Sequence, residues 1–369
     1  MSRPARARID LDALRHNLRY AKELAGLVRV LAVVKANGYG HGALPVARAL
    51  SGDADALGVA CTEEALELRE SGVKVPILLM EGVFSPDEIA LADRHRLAMV
   101  VHSREQLGWI LASRPSLPLD CWLKVDTGMH RVGLDPSDLP TAYGALTGAP
   151  QVGGLVLMTH FARADEPGHP FTARQAARFA ELTAGLAVPR SLANSAAVIA
   201  WPDTHGDWVR PGIMLYGISP HGDAHPSAGR LRPVMHLESA LIAVRELAAG
   251  ETVGYGGRFV CPGATRVGVV AMGYADGYPR HATDGTPVVV RGRRARLIGR
   301  VSMDMLTVDL SGIENAAVGD PVELWGDQVS ANAVASASGT IAYQLFTGIS
   351  PRVPRIYASA EVSSGPGGS

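Results

Sequence analysis

Short, unbroken apolar runs recur through the first two thirds of the chain. Each is followed by a polar break and then by a stretch of helical period. After an opening helix in "LDALRHNLRYAKELAG", the runs are "VLAVV" (30–34), "ALGVA" (56–60), "VPILLM" (75–80), "LAMVV" (97–101), "LDCWLKV" (119–125), "VGGLVLM" (152–158), "RSLA" (190–193) and "DWVR" (207–210). Between them lie segments such as "TEEALELRESG", with Thr62 at its start and Gly72 as its stop, and "TARQAARFAELTAGL". Continuous rather than alternating apolar runs mark strands buried on both faces, and their alternation with helices marks a parallel sheet. The count reaches eight by about residue 210, which predicts a (β/α)8 barrel. The last two runs are weakly apolar, so an open doubly wound sheet is the alternative. From about residue 230 the texture changes. "ESALIAVREL", "RVGVVAMG", "TPVVVRGRRARLIGRV" and "MLTVDL" alternate in the strand period and are joined by glycine-containing turns, with one helical stretch around "ANAVASASGTIAYQLF". The reading is an α/β barrel over residues 1–229 and a mostly β domain over 230–369.

Two domains agree with a length of 369 residues, more than one core usually organises. A net charge of −1 gives no electrostatic case for nucleic acid or an anionic membrane. Cys61, Cys121 and Cys261 are odd in number and far apart, so neither a disulfide framework nor a metal site is expected. The opening residues carry no apolar segment, and no run is long enough to cross a bilayer, so a cytoplasmic globular protein is expected. The tail "SSGPGGS" is expected to be disordered.

Barrels of this kind carry their chemistry at the carboxyl ends of the strands. Lys35 follows the first run, Lys124, Asp126 and Arg131 stand at or beyond the fifth, and His160 follows the sixth. Asn194 and Ser195 follow the seventh, and Arg210, Gly212 and Ile213 the eighth. Taken singly, each has a bland reading: a snorkelling lysine, a structural histidine, a turn in "NGYG", a helix start in "RPG". Together they gather cations on one rim. Pro211 and Gly212 suit a helix start whose N–H groups would take a phosphate, with Ser195 as a hydroxyl donor. A phosphate at one end and a lysine across the rim point to a phosphorylated aldehyde cofactor, pyridoxal 5'-phosphate.

The motifs "VVKANGYGHG", "LKVDTGMHRVGL", "THFA", "ANSAA", "RPGIMLYG", "VGYGGRFV", "GYADGYPR" and "GRVSMDM" occur in that order. Together they closely resemble the alanine racemase family over about residues 5–357. The resemblance implies a (β/α)8 barrel followed by a β domain, a head-to-tail homodimer, pyridoxal phosphate, and interconversion of L- and D-alanine, with D-alanine supplied to peptidoglycan. It makes Lys35 the lysine that binds the cofactor aldehyde and one of two catalytic bases. Tyr255 matches the second base, supplied by the partner subunit. Tyr39, Ser195, Gly212 and Ile213 match phosphate contacts, and Arg210 matches the residue at the pyridine nitrogen, with His160 behind it. Arg131 matches an arginine near the cofactor's phenolic oxygen and the substrate carboxylate. Lys124 matches a lysine often carbamylated in relatives. Met303 matches a backbone contact to the substrate carboxylate, and Tyr274 and Asp304 match the mouth of the site and its rim.

Two bases on opposite faces are the simplest way to invert a stereocentre. Lysine and tyrosine both titrate near 10 when unperturbed, so a site using them near neutrality must lower both values. The cations around them act in that direction on the tyrosine. One position departs from the family pattern. Where relatives have a tyrosine that hydrogen-bonds the phosphate, "SPRVPR" has Pro351, with neither hydroxyl nor N–H. One fewer phosphate contact and weaker cofactor retention are expected, and strictness for alanine is open. Alternative functions are a racemase for serine or a broader set of amino acids, a pyridoxal-phosphate decarboxylase, and a non-catalytic cofactor-binding protein. Decarboxylase relatives generally place a cysteine where this chain has Tyr255, and a non-catalytic protein would need neither the β domain nor the Tyr255 motif.

Overall fold

A computed structural model describes residues 3–358, so the tail "SSGPGGS" lies outside the described residues. Nine strands precede residue 210: β1 (Arg6–Asp10), β2 (Arg29–Val33), β3 (Ala56–Val59), β4 (Ile77–Leu79), β5 (Leu97–Val101), β6 (Leu119–Lys124), β7 (Val152–Met158), β8 (Arg190–Ser191) and β9 (Trp208–Val209). Strands β2 to β9 are the eight apolar runs. They form one parallel sheet in the order β8-β7-β6-β5-β4-β3-β2-β9. The seam between β8 and β9 is closed by backbone just outside the two-residue strands. Arg210 N donates to Ala193 O at 2.9 Å, Asp207 N donates to Arg190 O at 2.8 Å, and Asn194 and Arg210 form an isolated parallel bridge. The barrel is therefore the observed fold rather than an open sheet. Leu31, Leu57, Leu79, Met99, Cys121, Leu123 and Leu157, from six neighbouring strands, are all fully buried.

The second domain contributes β10 (Met235–Leu247), β11 (Thr252–Val253), β12 (Phe259–Val260), β13 (Thr265–Val270), β14 (Pro287–Val290), β15 (Arg293–Leu297), β16 (Leu306–Asp309), β17 (Pro321–Trp325) and β18 (Arg355–Ala358). Its main sheet runs β13-β16-β15-β14-β17-β10-β1-β18. A further β10–β13 pairing joins β10 to the sheet's far end, so six antiparallel strands close into a ring. Two helices, Ala331–Ala337 and Ala342–Gly348, interrupt the strands where one helical stretch is expected.

Strand β1 does not belong to the barrel. The sequence reading places the first residues with the barrel part and opens on a helix, but Arg6–Ile9 pair antiparallel with β10, and Ala7–Asp10 pair parallel with β18. Its outward positions are arginines and its inward ones Ala7 and Ile9, both fully buried, so "RARID" alternates as a half-buried strand should. Asp10 then caps the helix Leu11–Ala25, its Oδ1 accepting from Asp12 N and Ala13 N at 2.9 and 2.8 Å.

The turn after β2 is the least ordinary backbone in the chain. Ala36, Asn37, Gly38 and Tyr39 all have positive φ, between 50° and 59°. Four such residues in succession form a turn of left-handed helix, costly by about 1–2 kcal/mol for each non-glycine residue. Neighbouring groups hold it in place. Asn37 Oδ1 accepts from Ala43 N at 2.7 Å, and Glu64 Oε1 accepts from Ala36 N at 2.7 Å. The turn leaves Lys35 just past the end of the strand and buries Tyr39 at its close.

Candidate active site

A cavity of about 540 Å³ opens at the carboxyl ends of the barrel strands. Its walls include Lys35, Tyr39, Lys124, Arg131, His160, Asn194, Ser195, Arg210, Gly212 and Ile213, ten of the eleven rim residues picked out by strand-end position or by resemblance; the eleventh, Asp126, is not on the wall.

Arg210 forms the deep wall. Its guanidinium is buried and donates from Nη1 to Ser191 Oγ (2.5 Å) and from Nη2 to Thr159 O (2.7 Å) and Leu192 O (3.1 Å). The Nη2 atom also stands 3.4 Å from His160 Nδ1. Burial brings the Arg210 pKa down to about 10, and burial with the surrounding cations holds His160 well below its ordinary value, so the imidazole is neutral and can accept. One Arg210 donor, Nε, is buried with no hydrogen-bond partner among the described residues. A buried N–H left unpaired costs about 1–3 kcal/mol, so Nε has a place reserved for an acceptor.

At the opposite corner, Ser195 opens the helix Ser195–Ala200, capped by Asn194 Oδ1 accepting from Ala197 N at 3.1 Å. The Ser195 oxygen accepts from Gly212 N (2.7 Å) and Met214 N (3.4 Å), which leaves its own O–H free to donate. The segment after Gly212 is one 3-10 turn, Ile213–Tyr216, rather than the helix expected from "RPG". Gly217, with φ of 88°, stops it after a single turn. Gly212 itself is required by closeness: a Cβ there would stand 2.5 Å from the Tyr39 hydroxyl. That hydroxyl is held over Gly212 by stacking of the Tyr39 ring on Tyr216, with centroids 4.7 Å apart. Burial pushes the Tyr39 pKa up to about 12, so it stays a neutral donor.

Lys124 ends β6 almost fully buried, and burial with Arg210, Arg131 and Lys35 nearby lowers its pKa to about 8. Beyond it the chain leaves and returns. Leu134 N donates to Lys124 O (2.8 Å) and Asp126 N to Leu134 O (3.0 Å), which makes the intervening segment a closed loop. Asp126 braces that loop from inside by accepting from Gly128 N and His130 N. Arg131 sits on the loop, exposed, with no hydrogen bond or ion pair among the described residues. The cavity wall thus carries four cations, Lys35, Lys124, Arg131 and Arg210, against a single carboxylate, Glu81.

Four predicted residues are elsewhere. Tyr255 is 71% exposed on the turn between β11 and β12. Tyr274, Met303 and Asp304 form one exposed patch of the second domain, where Tyr274 N donates to Ser302 O and Ala275 N to Met303 O, both at 3.0 Å. None of the four lines the cavity of its own chain. Residues the sequence reading passed over complete the walls. Met80 and Glu81 follow β4 and His102 follows β5, so the strand-end rule that found Lys35 would have found them too. Tyr343 has no such signal, because it arrives from the helix Ala342–Gly348 of the second domain.

Residues 9–220 match the family described as "Alanine racemase, N-terminal domain", and residues 234–357 match "Alanine racemase, C-terminal domain". The chain belongs to the alanine racemase family. The catabolic alanine racemase of Pseudomonas putida is 57% identical over 355 residues, which cover 96% of this chain and 99% of that protein. The solved structure described as the biosynthetic alanine racemase of Pseudomonas aeruginosa superposes with a TM-score of 0.94 at 50% identity, covering 97% of this chain and all of that one. The alanine racemase of Acinetobacter baumannii gives 0.89 at 37% identity. Alanine racemases are amino-acid racemases that depend on pyridoxal phosphate, and this cavity suits that group. The unpartnered Arg210 Nε fits a ring nitrogen, the Ser195 and Tyr39 hydroxyls at Gly212 fit a phosphate, and the uncompensated cations fit a ligand rich in negative charge. Among the described residues no helix is long and apolar enough to cross a membrane, and no cluster could hold a metal ion.

Proposed function

We propose that the protein interconverts L- and D-alanine by a two-base reaction in a homodimer, with Lys35 as the base on one face of the substrate and the partner's Tyr255 as the base on the other. The observation that carries this reading is the excess of cations around a lysine that has no hydrogen bond or ion pair among the described residues. Lys35, Lys124, Arg131 and Arg210 share one cavity with Glu81 alone. Such a wall is electrostatically incomplete until anions fill it.

When bound, pyridoxal phosphate supplies an electron sink for the Cα carbanion. The chain's residues do the rest. Lys35 would hold the cofactor's aldehyde carbon and afterwards carry a proton at Nζ. Tyr39, Ser195 and the Gly212–Ile213 backbone would grip the phosphate. Arg210 Nε would donate to the ring nitrogen. As a cation it would disfavour protonation of that nitrogen. Arg131, free on its loop, would take a carboxylate by paired N–H donors. At a pKa near 8 a useful fraction of Lys124 is the neutral amine that reacts with carbon dioxide. Carbamylation would turn it into an anion among three cations and steady Arg131.

The second base must come from outside this cavity. Tyr255, Tyr274 and Met303 are large groups 71%, 38% and 53% exposed, an arrangement that suits burial against a second copy. In that copy they would cover the mouth of the partner's cavity, with Asp304 at the rim. The cytoplasm, where pyridoxal phosphate and amino acids are both at hand, is the setting this reading implies. Enantiomers have equal free energy in water, so the site itself drives neither direction. Wall supply, and the catabolism in the name of the P. putida protein, are two uses of one reaction.

The test is to incubate the protein with L-alanine and pyridoxal phosphate in heavy water, following both enantiomers and deuterium at Cα. D-alanine carrying solvent deuterium is expected. Exchange with retained configuration would remove Tyr255 from its role. Absence of exchange with alanine, but turnover of serine or longer side chains, would move the specificity.

A further inference from the structure

We infer that Arg3, just ahead of strand β1, is a positioning residue for the active site of the partner subunit: it holds Tyr274, Met303 and Asp304 in the shape in which they cover that subunit's cavity. This rests on the two-copy reading above.

The patch is built from two loops. Tyr274 opens a 3-10 turn, Tyr274–Asp276, and Met303 and Asp304 lie on the second loop. The loops are joined through backbone, with Tyr274 N and Ala275 N donating to Ser302 O and Met303 O. A Cβ on Gly273 would stand 2.3 Å from Met303 O, so no side chain fits between them. Asp276 braces the first turn, its Oδ2 accepting from Gly273 N at 2.8 Å. That carboxylate is fully buried, and a buried charge is tolerated only when it is paired. Its counter-ion is Arg3, whose Nη1 donates to Oδ1 and whose Nη2 donates to Oδ2 at 2.7 Å. The same Nη2 donates to Asp304 O at 2.9 Å. One planar guanidinium thus ties the Tyr274 turn to the Met303 loop.

A second arginine reaches the same carboxylates. Arg352 Nη2 donates to Asp304 Oδ1 at 2.7 Å, and its Nε lies 3.6 Å from Asp276 Oδ1. The two arginines meet because β1 and β18 run parallel. Ala7 stands opposite Arg355, and four residues before each come Arg3 and Pro351, with Arg352 next. Pro351 is exposed and lines no part of its own chain's cavity; its fixed φ stiffens the segment that presents Arg352. Arg3, Asp276, Asp304 and Arg352 are likewise absent from that cavity wall. What they fix is the surface that carries Tyr274 and Met303, 38% and 53% exposed, which is the surface offered to a second copy.

A residue that only helps its own chain to fold matters equally in either half of a dimer, whereas one that shapes the partner's site does not. Mixed dimers of Lys35→Ala and Tyr255→Phe chains have one intact site, which joins the Lys35 of the second chain to the patch of the first. Arg3→Ala is placed in one chain or the other, so the two mixtures carry the same lesion and differ only in where it sits. The readout is KM for alanine, which does not depend on the fraction of mixed dimers. In the Lys35→Ala chain, Arg3→Ala is expected to raise KM about tenfold, and in the Tyr255→Phe chain to leave it within about twofold. Arg3→Lys keeps a charge beside Asp276 but lacks the fork that spans both loops, so it should repeat the asymmetry at a smaller size. An equal rise in both mixtures, no rise in either, or a rise only from the Tyr255→Phe chain would overturn the inference while leaving the functional reading intact. Should the mixture with Arg3 unaltered be inactive, the two-copy reading fails and the inference goes with it.

Discussion

The barrel mouth and the exposed edge of the second domain present their candidate residues in opposite ways. At the mouth, Arg210, Ser195 and Tyr39 are buried and His160 is half-buried, all oriented by neighbours. At the edge, Tyr255, Tyr274 and Met303 lie open to solvent with their backbones tied and their side chains uncovered. On the proposed reading, a single chain binds the cofactor yet is unfinished as a catalyst. The difference then teaches that preorganisation and burial are divided between copies, with the site formed only when two chains meet.

The strongest way to break this comparison is to mix two inactive variants. Lys35→Ala should lose at least about 10⁴-fold in racemisation, and Tyr255→Phe about 10²–10⁴-fold, as expected for loss of a positioned acid–base group. If the partner supplies Tyr255, a mixed dimer has one intact site. Refolding the two proteins together should then recover about a quarter of the unaltered activity by random pairing. A mixture as inactive as its parts would place Tyr255 with its own chain's Lys35.

A smaller effect sharpens the account of the mouth. Unfolded, Lys124 keeps its proton to about 10.4. Folded, it gives the proton up near 8. Between those values the unfolded chain binds more protons, so stability should rise with pH across that interval and level off above it. In bicarbonate-free buffer the thermal midpoint should therefore climb from pH 7.5 to 9.5, and the climb should shrink in Lys124→Met. An equal climb in both proteins would show that the buried amine is not its source.

The smallest effect concerns the strained turn. Ala36→Gly removes a left-handed alanine at an exposed position, and after the extra entropy of glycine it should stabilise by about 0.5–1 kcal/mol. Differential scanning calorimetry would register that as a rise of about 1–3 °C. A fall would mean that the alanine methyl contributes more than its backbone costs.

Much of the barrel was legible because its strands are short, apolar and continuous, and because the rule about strand ends is geometric. The same rule covers Glu81 and His102, which went unread because they lacked a motif to draw attention. Strand β1 was not legible: its alternation of arginine with small residues makes sense only beside partners 230 and 348 positions away, Leu237 and Arg355 for Ala7. Tyr343 was hidden for the same reason, since nothing local in "AYQLF" says that its helix will reach the barrel mouth. The four left-handed residues could be guessed only as a turn, because Ala36 and Tyr39 carry no glycine-like licence for that backbone.

The placement of β1 has a consequence for how the protein is made. Strand β1, made before the barrel, sits between β10 and β18, the last strand of the described residues. The whole barrel is in effect an insertion within the second domain, bracketed by that domain's first strand and its remainder. During synthesis the barrel can assemble while Arg6–Asp10 wait with one edge unpaired until Arg355–Ala358 emerge. Emergence of β18, rather than completion of the barrel, is the event that seals this edge of the sheet.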